Sequence, residues 1–238
     1  LLGTIAYALQ LYFDFSGYSE MAIGIGRLLG FKFPQNFNSP YKAKSLTEFW
    51  RRWHMTLTFW IRDYVYIPMG GNRKGIIRRY SNIIFTMVIF GFWHGAGWNF
   101  ALWGGGHGVA LVFENIVLKI VKTLTTKVMR LIFMFIVVLL LWIPFRSTDI
   151  QSTFIMWEAL GDFEIQKLVY VIKLIDMKVA LSILIMPLSL YLVFFKNNTY
   201  EMDKTMGLKS SILLSSLLIF SIFVMLSRPY IPFLYFQF

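Results

Sequence analysis

A long uncharged stretch constrains this chain more than any other feature. Residues 83–113 contain no Asp, Glu, Lys or Arg, yet His94 and His107 lie among their glycines and tryptophans. As one straight helix, at about 1.5 Å per residue, the stretch would extend well beyond a hydrocarbon core of roughly 30 Å. The sequence therefore predicts a broken or re-entrant segment around His94. Irregular backbone at that depth must be buried in protein or line a cavity, and we expect His94 at the floor of one.

The composition predicts an all-α, polytopic membrane protein. Apolar residues make up 57% of the 238 residues, well above the share in a soluble domain. Apolar windows long enough to cross a bilayer predict transmembrane helices. The predicted spans are residues 1–31, the broken segment 83–113, and residues 128–145, 179–195 and 212–226. We expect one helical bundle over residues 1–238, forming the C-terminal part of a longer membrane domain.

Basic residues collect in the section between the first two spans. Residues 32–80 contain ten Lys or Arg against only Glu48 and Asp63. This excess predicts a cytoplasmic or interfacial location, because Lys and Arg accumulate on the cytoplasmic side of membrane proteins. Since the charge follows the membrane segments, it does not indicate a nucleic-acid partner. Residues 146–176 are relatively acidic, which favours an extracytoplasmic loop.

An amphipathic helix is expected within the basic section. Ser45 and Glu48 have the spacing of a capping box, which predicts a helix start. The helix should run to about Tyr66 and stop before Pro68. Its apolar residues share one arc at about 100° per residue, which favours a helix lying in the membrane interface. They are Phe49, Trp50, Trp53, Leu57, Trp60, Ile61 and Tyr64, with His54 near the edge of the arc.

Two patterns in the first helix predict its surroundings. Gly26 and Gly30 are four residues apart, the spacing that lets two membrane helices approach closely. Asp14 should face protein or a wet cavity, because a charge exposed to lipid is costly.

Cysteine and histidine usage limits the possible chemistry. The chain has no cysteine, which excludes a thiol nucleophile and thiolate metal ligands within it. Its three histidines lack the four-residue spacing of a helical metal pair, so no metal site is predicted. Histidine, carboxylate and hydroxyl groups therefore remain as candidates.

Several short motifs follow one another along the chain. They are FDFSGY at 13–18, FWRRWH at 49–54, RDY at 62–64, PMGGNR at 68–73, WHGAGWNF at 93–100 and PFLYFQF at 232–238. With these motifs, the sequence resembles the C-terminal half of the membrane-bound O-acyltransferase family, in its alginate O-acetyltransferase-like bacterial branch. A related branch, which transfers D-alanine toward teichoic acids, shares some of the motifs and is an alternative.

The resemblance implies roles for particular residues and partners. His94, in the Trp-His-Gly element, is the implied catalytic residue, and His54 is the second candidate. The donor would be acetyl-CoA or another acyl thioester from the cytoplasm, with no cofactor bound. The acceptor would be an extracytoplasmic polysaccharide, peptidoglycan or a partner acyltransferase. The protein would be a multi-pass protein of the bacterial cytoplasmic membrane, in contact with lipid.

The residue chemistry fits acyl transfer to a hydroxyl. Neutral imidazole can accept the hydroxyl proton near pH 7. The developing oxyanion needs hydrogen-bond donors, for which the Asn99 side chain, the Trp98 N–H and the backbone around residues 95–97 are candidates. The candidate substrate-binding residues are Asn99, Trp93, Trp98, Asp14, Arg51 and Arg62. His107 is expected to be structural, with its ring bonded to backbone, and Asp63 to pair with an arginine.

Two other classes of function are compatible with the same pattern. In a transporter, His94 and the broken segment would form a gate. In a scaffold subunit of an export complex, residues 146–176 would recruit a soluble transferase, and His94 would be dispensable.

Overall fold

The computed structural model describes residues 1–161, 177–202 and 207–227, and all regular structure in these ranges is helical. This confirms the predicted fold class. The α-helices are α1 (Leu2–Leu28), α2 (Leu46–Arg52), α3 (Met55–Ile61), α4 (Gly75–His94), α5 (Trp98–Leu124), α6 (Lys127–Arg146), α7 (Ile150–Gly161), α8 (Met177–Phe195), α9 (Thr199–Met202) and α10 (Leu208–Leu226). A short 3-10 helix, Pro40–Lys42, precedes α2, and a π-helical turn, Arg62–Tyr66, continues α3.

The chain divides into two compact units, Leu1–Phe194 and Phe195–Phe238. The first contains α1 to α7 and nearly all of α8, and the second contains α9 and α10. In the described ranges, α6 and α10 are the two helices long and apolar enough to cross a membrane. The predicted spans 128–145 and 212–226 lie within them.

The uncharged stretch forms a tight helical hairpin, as its length predicted. α4 ends at His94 and α5 begins at Trp98, so only three residues join the two helices. Glycines let the helices approach closely: a Cβ on Gly91 would collide with the carbonyl oxygen of Phe100, and one on Gly104 with that of Met87. Such small residues are what close packing of membrane helices requires.

Hydrogen bonds define two ends of the bundle in the first unit. At one end, Asn99 at the start of α5 bonds to the carbonyls of Pro144 and Ser147 at the end of α6. At the other end, Arg79 near the start of α4 donates to Asn115 late in α5 at 2.7 Å. α4, α5 and α6 are therefore antiparallel neighbours. We call the first end the histidine end, because α4 ends there at His94, and the second the basic end.

The amphipathic helix expected from Ser45 to about Tyr66 is two helices. Its start is as predicted, since the Glu48 N–H donates to Ser45 Oγ at 3.0 Å. However, α2 ends at Arg52, and His54 adopts a left-handed conformation with φ 42 before α3 begins. Left-handed backbone is uncommon for residues other than glycine and turns the chain sharply. The prediction of one continuous helix is therefore wrong.

α2 starts at the basic end and runs into the bundle. The Leu46 and Thr47 N–H groups donate to the carboxylate of Glu114 from α5. A carboxylate is favourable there, because the first turn of a helix has unpaired N–H groups and a positive dipole end.

The aromatic arc is split between the protein core and the surface. Trp50 and Trp53 of the α2 segment are buried, and Trp53 packs against Trp142 of α6 at 5.1 Å between ring centroids. By contrast, Trp60 and Tyr64, on α3 and its π-helical turn, are exposed. Of the arc, Trp60 and Tyr64 are therefore the residues available to a membrane interface, where aromatic side chains are favoured.

The glycine pair of α1 does not mark a helix contact. A Cβ on Gly26 would collide with the ring of Phe33, which belongs to the loop after α1. Gly30 lies beyond the end of α1 and has φ +83, so it provides a turn rather than a packing surface. The prediction of close helix packing at these two residues is wrong.

Candidate active site

His94, the last residue of α4, lies in a ring of aromatic side chains. The centroid of its imidazole is 5.3 Å from Phe90, 4.9 Å from Trp93, 5.1 Å from Trp103 and 5.1 Å from Phe145. These residues come from three helices, so tertiary packing holds the ring in place. His94 itself is half-buried.

His54 lies at the corner between α2 and α3 and is held by the loop before α2. Its Nδ1 is 3.1 Å from Oδ1 of Asn36. The same Oδ1 accepts from the Thr56 hydroxyl at 3.0 Å, while the Asn36 amide donates to Ser19. Because this Oδ1 acts as an acceptor, Nδ1 of neutral His54 carries the proton, and Nε2 carries the lone pair that a base needs.

The two candidate histidines meet at one tryptophan. The ring of Trp93 is 6.2 Å from that of His54 and 4.9 Å from that of His94. The corner of the α2–α3 hairpin thus reaches the turn of the α4–α5 hairpin, joining motifs that are far apart in sequence. Trp93 is 54% exposed, so the junction is open on one side.

The start of α5 offers backbone donors beside His94. α5 is 27 residues long. The N–H groups in the first turn of a helix have no acceptor within the helix and point out of its N-terminus. In the described part of the chain, no hydrogen bond uses the N–H of Trp98 or Asn99. Gly97 must lack a side chain, because a Cβ there would collide with Oδ1 of Asn99. Unpaired backbone N–H groups thus lie at the start of α5, and their use as oxyanion donors stays a prediction.

The side chain of Asn99 has a different role from the one predicted. It is buried, and its amide N–H groups donate to the carbonyls of Pro144 at 3.2 Å and Ser147 at 2.9 Å. α6 ends at Arg146, so the carbonyls at its C-terminus have no N–H partner within the helix and are left for a side chain to satisfy. Both N–H groups of Asn99 join α5 to α6, so its side chain is not free to act as the oxyanion donor that we expected.

The other candidate substrate-binding residues are dispersed. Trp98 is 72% exposed at the histidine end, Asp14 lies on the exposed side of α1, and Arg51 is exposed on α2. Arg62 pairs with Asp63 at 2.7 Å, which confirms the predicted ion pair. The hydrogen bond between them raises the pKa of Arg62 and lowers that of Asp63.

His107 lies one layer deeper than His94 and is fully buried. Its ring packs against Trp50 at 4.9 Å and Trp103 at 5.2 Å. Neither ring nitrogen has a hydrogen-bond partner in the described part of the chain, so the prediction that the ring bonds to backbone is wrong. A packing role for His107 agrees with this position.

Sequence reasoning missed the residues that support the two histidines. Asn36 fixes His54, and the ring of Phe15 packs on it at 4.7 Å. Phe15 belongs to the FDFSGY motif, so its position in a motif was the one available signal. Nothing in a single sequence indicates that Trp103 and Phe145 pack against His94.

Two cavities stand out in the first unit, and His94 lines neither. An apolar groove of about 980 Å³ lies between α5 and α6, with Lys44, Glu114 and Arg130 at its basic end. A smaller pocket of about 400 Å³ lies at the histidine end, lined by residues of α1, α6 and α7. The expected cavity floor at His94 stays a prediction.

The sequence profile of the membrane-bound O-acyltransferase family matches residues 1–157, about two thirds of the chain. The chain belongs to this family. The match includes both candidate histidines and both hairpins that carry them.

The names of curated relatives describe acyl-transfer activities. A probable alginate O-acetylase of Azotobacter vinelandii is 47% identical over 68% of this chain and 32% of its own length. One from Pseudomonas putida is 38% identical over 100% of this chain and 53% of its own length. A peptidoglycan O-acetyltransferase of Helicobacter pylori is 46% identical over 63% of this chain and 29% of its own length. Teichoic acid D-alanyltransferases also match, over about half of the chain. The chain thus spans from about a third to about half of the length of these relatives.

Proposed function

We propose that the full-length protein is a membrane O-acyltransferase. It transfers an acetyl or similar short acyl group to a hydroxyl of a polysaccharide, peptidoglycan or a partner protein outside the cytoplasmic membrane. One observation carries the proposal: His54 and His94, from two separate hairpins, meet at Trp93 beside the N-terminus of α5. The names of the O-acetylating relatives support the same reaction class.

The residues suggest how the reaction proceeds. Neutral His94 accepts the proton of the acceptor hydroxyl as its oxygen attacks the carbonyl carbon of an acyl thioester. The N–H groups at the start of α5 stabilise the tetrahedral oxyanion. The intermediate collapses, the C–S bond breaks, and the imidazolium returns its proton to the leaving thiolate. His54, with its lone pair on Nε2, is placed to orient the donor or acceptor across Trp93.

The charges of the bundle support one orientation in the membrane. The basic end carries Arg79 and Lys44, which favours a cytoplasmic location under the positive-inside rule. The histidine end then faces outward. A donor such as acetyl-CoA would approach from the basic end, and the acceptor from the histidine end.

The proposal is tested with the full-length protein in its own cells. Base-labile acyl groups are released from the envelope and exported polysaccharide, identified by mass spectrometry, and compared at matched membrane abundance. We expect His94→Ala and His94→Gln to lower one specific ester by at least ~100-fold, because they remove a general base. His107→Leu, which changes a buried histidine packed against Trp50 and Trp103, should leave that ester unchanged.

Each outcome separates the alternatives. The lost ester would identify both acyl group and acceptor, including D-alanine if the transferred group is D-alanyl. If all esters persist in both His94 variants, the base assignment is wrong. A gating or scaffolding role would then explain the junction better.

A further inference from the structure

The larger cavity of the first unit is the apolar groove between α5 and α6. It has a volume of about 980 Å³ and is lined by both helices and by the start of α2. Large side chains of its lining are exposed: Val109 is 57%, Phe113 55% and Phe133 58% exposed. An apolar surface of this kind on a membrane protein faces either lipid or another protein segment.

Two cations lie at the basic end of this groove. Lys44, which is exposed, directly precedes the N-cap of α2, and Arg130 belongs to the first turn of α6. Glu114 lies there as well, but its carboxylate accepts from the Leu46 and Thr47 N–H groups, so the N-terminus of α2 offsets its charge. Every other described residue of the lining is uncharged. One end of the groove therefore attracts an anion, and the rest favours an apolar ligand.

The groove has the depth of one membrane leaflet. From Arg130 to Leu141, eleven residues of α6 extend roughly 16 Å along the helix axis. Half of a hydrocarbon core of roughly 30 Å is about 15 Å. A helix that crosses the membrane would need the whole core, so the groove fits the acyl chains of one leaflet better than it fits another helix.

We propose that the α5–α6 groove binds an anionic phospholipid of the leaflet at the basic end. Its acyl chains lie against the apolar walls, and its phosphate contacts Lys44 and Arg130. Because Lys44 directly precedes α2, which leads to His54, this lipid joins the base of the α2–α3 hairpin to α6. The site goes beyond the proposed function: the lipid is a structural ligand, and its binding is measured without acyl transfer.

Native mass spectrometry of the full-length protein, released from detergent micelles, measures the binding of single lipids. The probes are dioleoyl phosphatidylglycerol and dioleoyl phosphatidylcholine, which have the same acyl chains and differ in net charge. We expect the wild type to prefer phosphatidylglycerol on the order of 10-fold, and Arg130→Gln and Lys44→Gln each to weaken its binding about 5-fold. Lys127→Gln is the matched control. It removes an exposed charge from the same turn of α6, at a residue outside the groove lining, and should have no effect.

A second pair of variants tests the apolar part of the site. Val109→Trp places a large side chain in the groove and should weaken the binding of both lipids several-fold. Ile136→Trp is its control, because Ile136 is also exposed, at 48%, but lies outside the groove lining. Each variant must first unfold at the wild-type temperature in lipid-free detergent. His94→Ala should bind phosphatidylglycerol like the wild type, so failure of this site is distinguishable from failure of the catalytic proposal.

Four results would overturn the proposal. Equal affinities of the wild type for the two lipids would remove the headgroup contact. An equal loss in Lys127→Gln and Arg130→Gln would indicate general attraction to a basic surface. Displacement of phosphatidylglycerol by soluble glycerol 3-phosphate, with Val109→Trp unaffected, would indicate a phosphate site without acyl chains. An absence of bound lipid in the wild type would indicate that another segment of the full-length protein covers the groove.

Discussion

At the residue scale, the candidate active site depends on how each histidine is held. His54 has a specific hydrogen bond, 3.1 Å from Nδ1 to Asn36, which selects one tautomer. His94 has a shell of four aromatic rings, which fixes the plane of the imidazole by packing. Two different kinds of restraint therefore bring two imidazoles to Trp93. The roles of both histidines in catalysis stay predictions until variants are measured.

Replacing Asn36 tests whether the tautomer of His54 matters. We expect Asn36→Ala to reduce acyl transfer by roughly 5- to 10-fold, because the ring of His54 loses the acceptor that orients it. Asn36→Asp retains an acceptor for the Nδ1 proton and should restore most of the activity. The measurement is the transfer rate of purified full-length protein with a thioester donor. Equal rates for Asn36→Ala and wild type would show that His54 needs no such restraint.

Asn72 provides a control for that experiment. Its side chain accepts from the Tyr66 hydroxyl in the turn before α4 and has no contact with either histidine in the described structure. We expect Asn72→Ala to keep the wild-type rate. A similar loss in both variants would indicate a general effect on folding.

At the element scale, two hairpins meet end to end. The α4–α5 hairpin brings His94 to its turn, and the α2–α3 hairpin brings His54 to its corner. The first hairpin depends on glycines that remove side chains between its helices. The second is attached at its base, where the Glu114 carboxylate of α5 accepts from the first N–H groups of α2 and from the Thr47 hydroxyl at 2.7 Å.

Two adjacent glycines of α5 provide a matched pair for testing this packing. A Cβ on Gly104 would collide with the Met87 carbonyl, whereas one on Gly105 would meet only Val88 Cγ2 at an ordinary 3.5 Å. We expect Gly104→Ala to lower the free energy of unfolding by about 1–3 kcal/mol, the usual cost of overpacking. Gly105→Ala should change it by less than ~0.5 kcal/mol. Thermal unfolding of the full-length protein in detergent measures both, and equal shifts would contradict the packing argument.

At the scale of the whole molecule, the two ends of the bundle have different chemistry. Fifteen residues of α4 separate Arg79 from His94, which corresponds to roughly 22 Å along the helix axis. If Arg79 lies at the cytoplasmic surface, His94 lies about three quarters of the way across a hydrocarbon core of roughly 30 Å. Under the proposed function, a cytoplasmic thioester would have to reach deep into the protein, whereas an outside acceptor would approach over a short distance.

Single cysteines can test this orientation, because the chain contains none of its own. Lys74 precedes α4 at the basic end, and Gln151 is exposed in the first turn of α7 near the histidine end. We expect a membrane-impermeant maleimide to label Gln151→Cys in intact cells and Lys74→Cys only after the cells are broken. The parent protein must first be freed of any cysteines outside this chain. Labelling in the reverse order would invert the proposed topology.

The sequence alone predicted the fold class and the first hairpin. An uncharged run longer than one bilayer crossing has to bend, and glycines next to His94 provide the place, so the α4–α5 turn followed from length and composition. The sequence also predicted the capping box at Ser45 and the ion pair between Arg62 and Asp63, because both contacts join residues that are close in sequence. The six ordered motifs led to the family that the profile of residues 1–157 then showed.

The tertiary structure decided which residues meet and which turn toward the interior. An extended Trp53 followed by a left-handed His54 broke a helix whose apolar periodicity continued without interruption to Tyr64, and Trp50 and Trp53 lie in the core. Asn99 looked like an oxyanion donor until α6 used both of its N–H groups. Periodicity reports which side of a helix is apolar, but it does not distinguish a protein core from lipid, since both favour the same residues. Contacts between distant segments depend on how the helices pack, and that information appears only when the chain is folded.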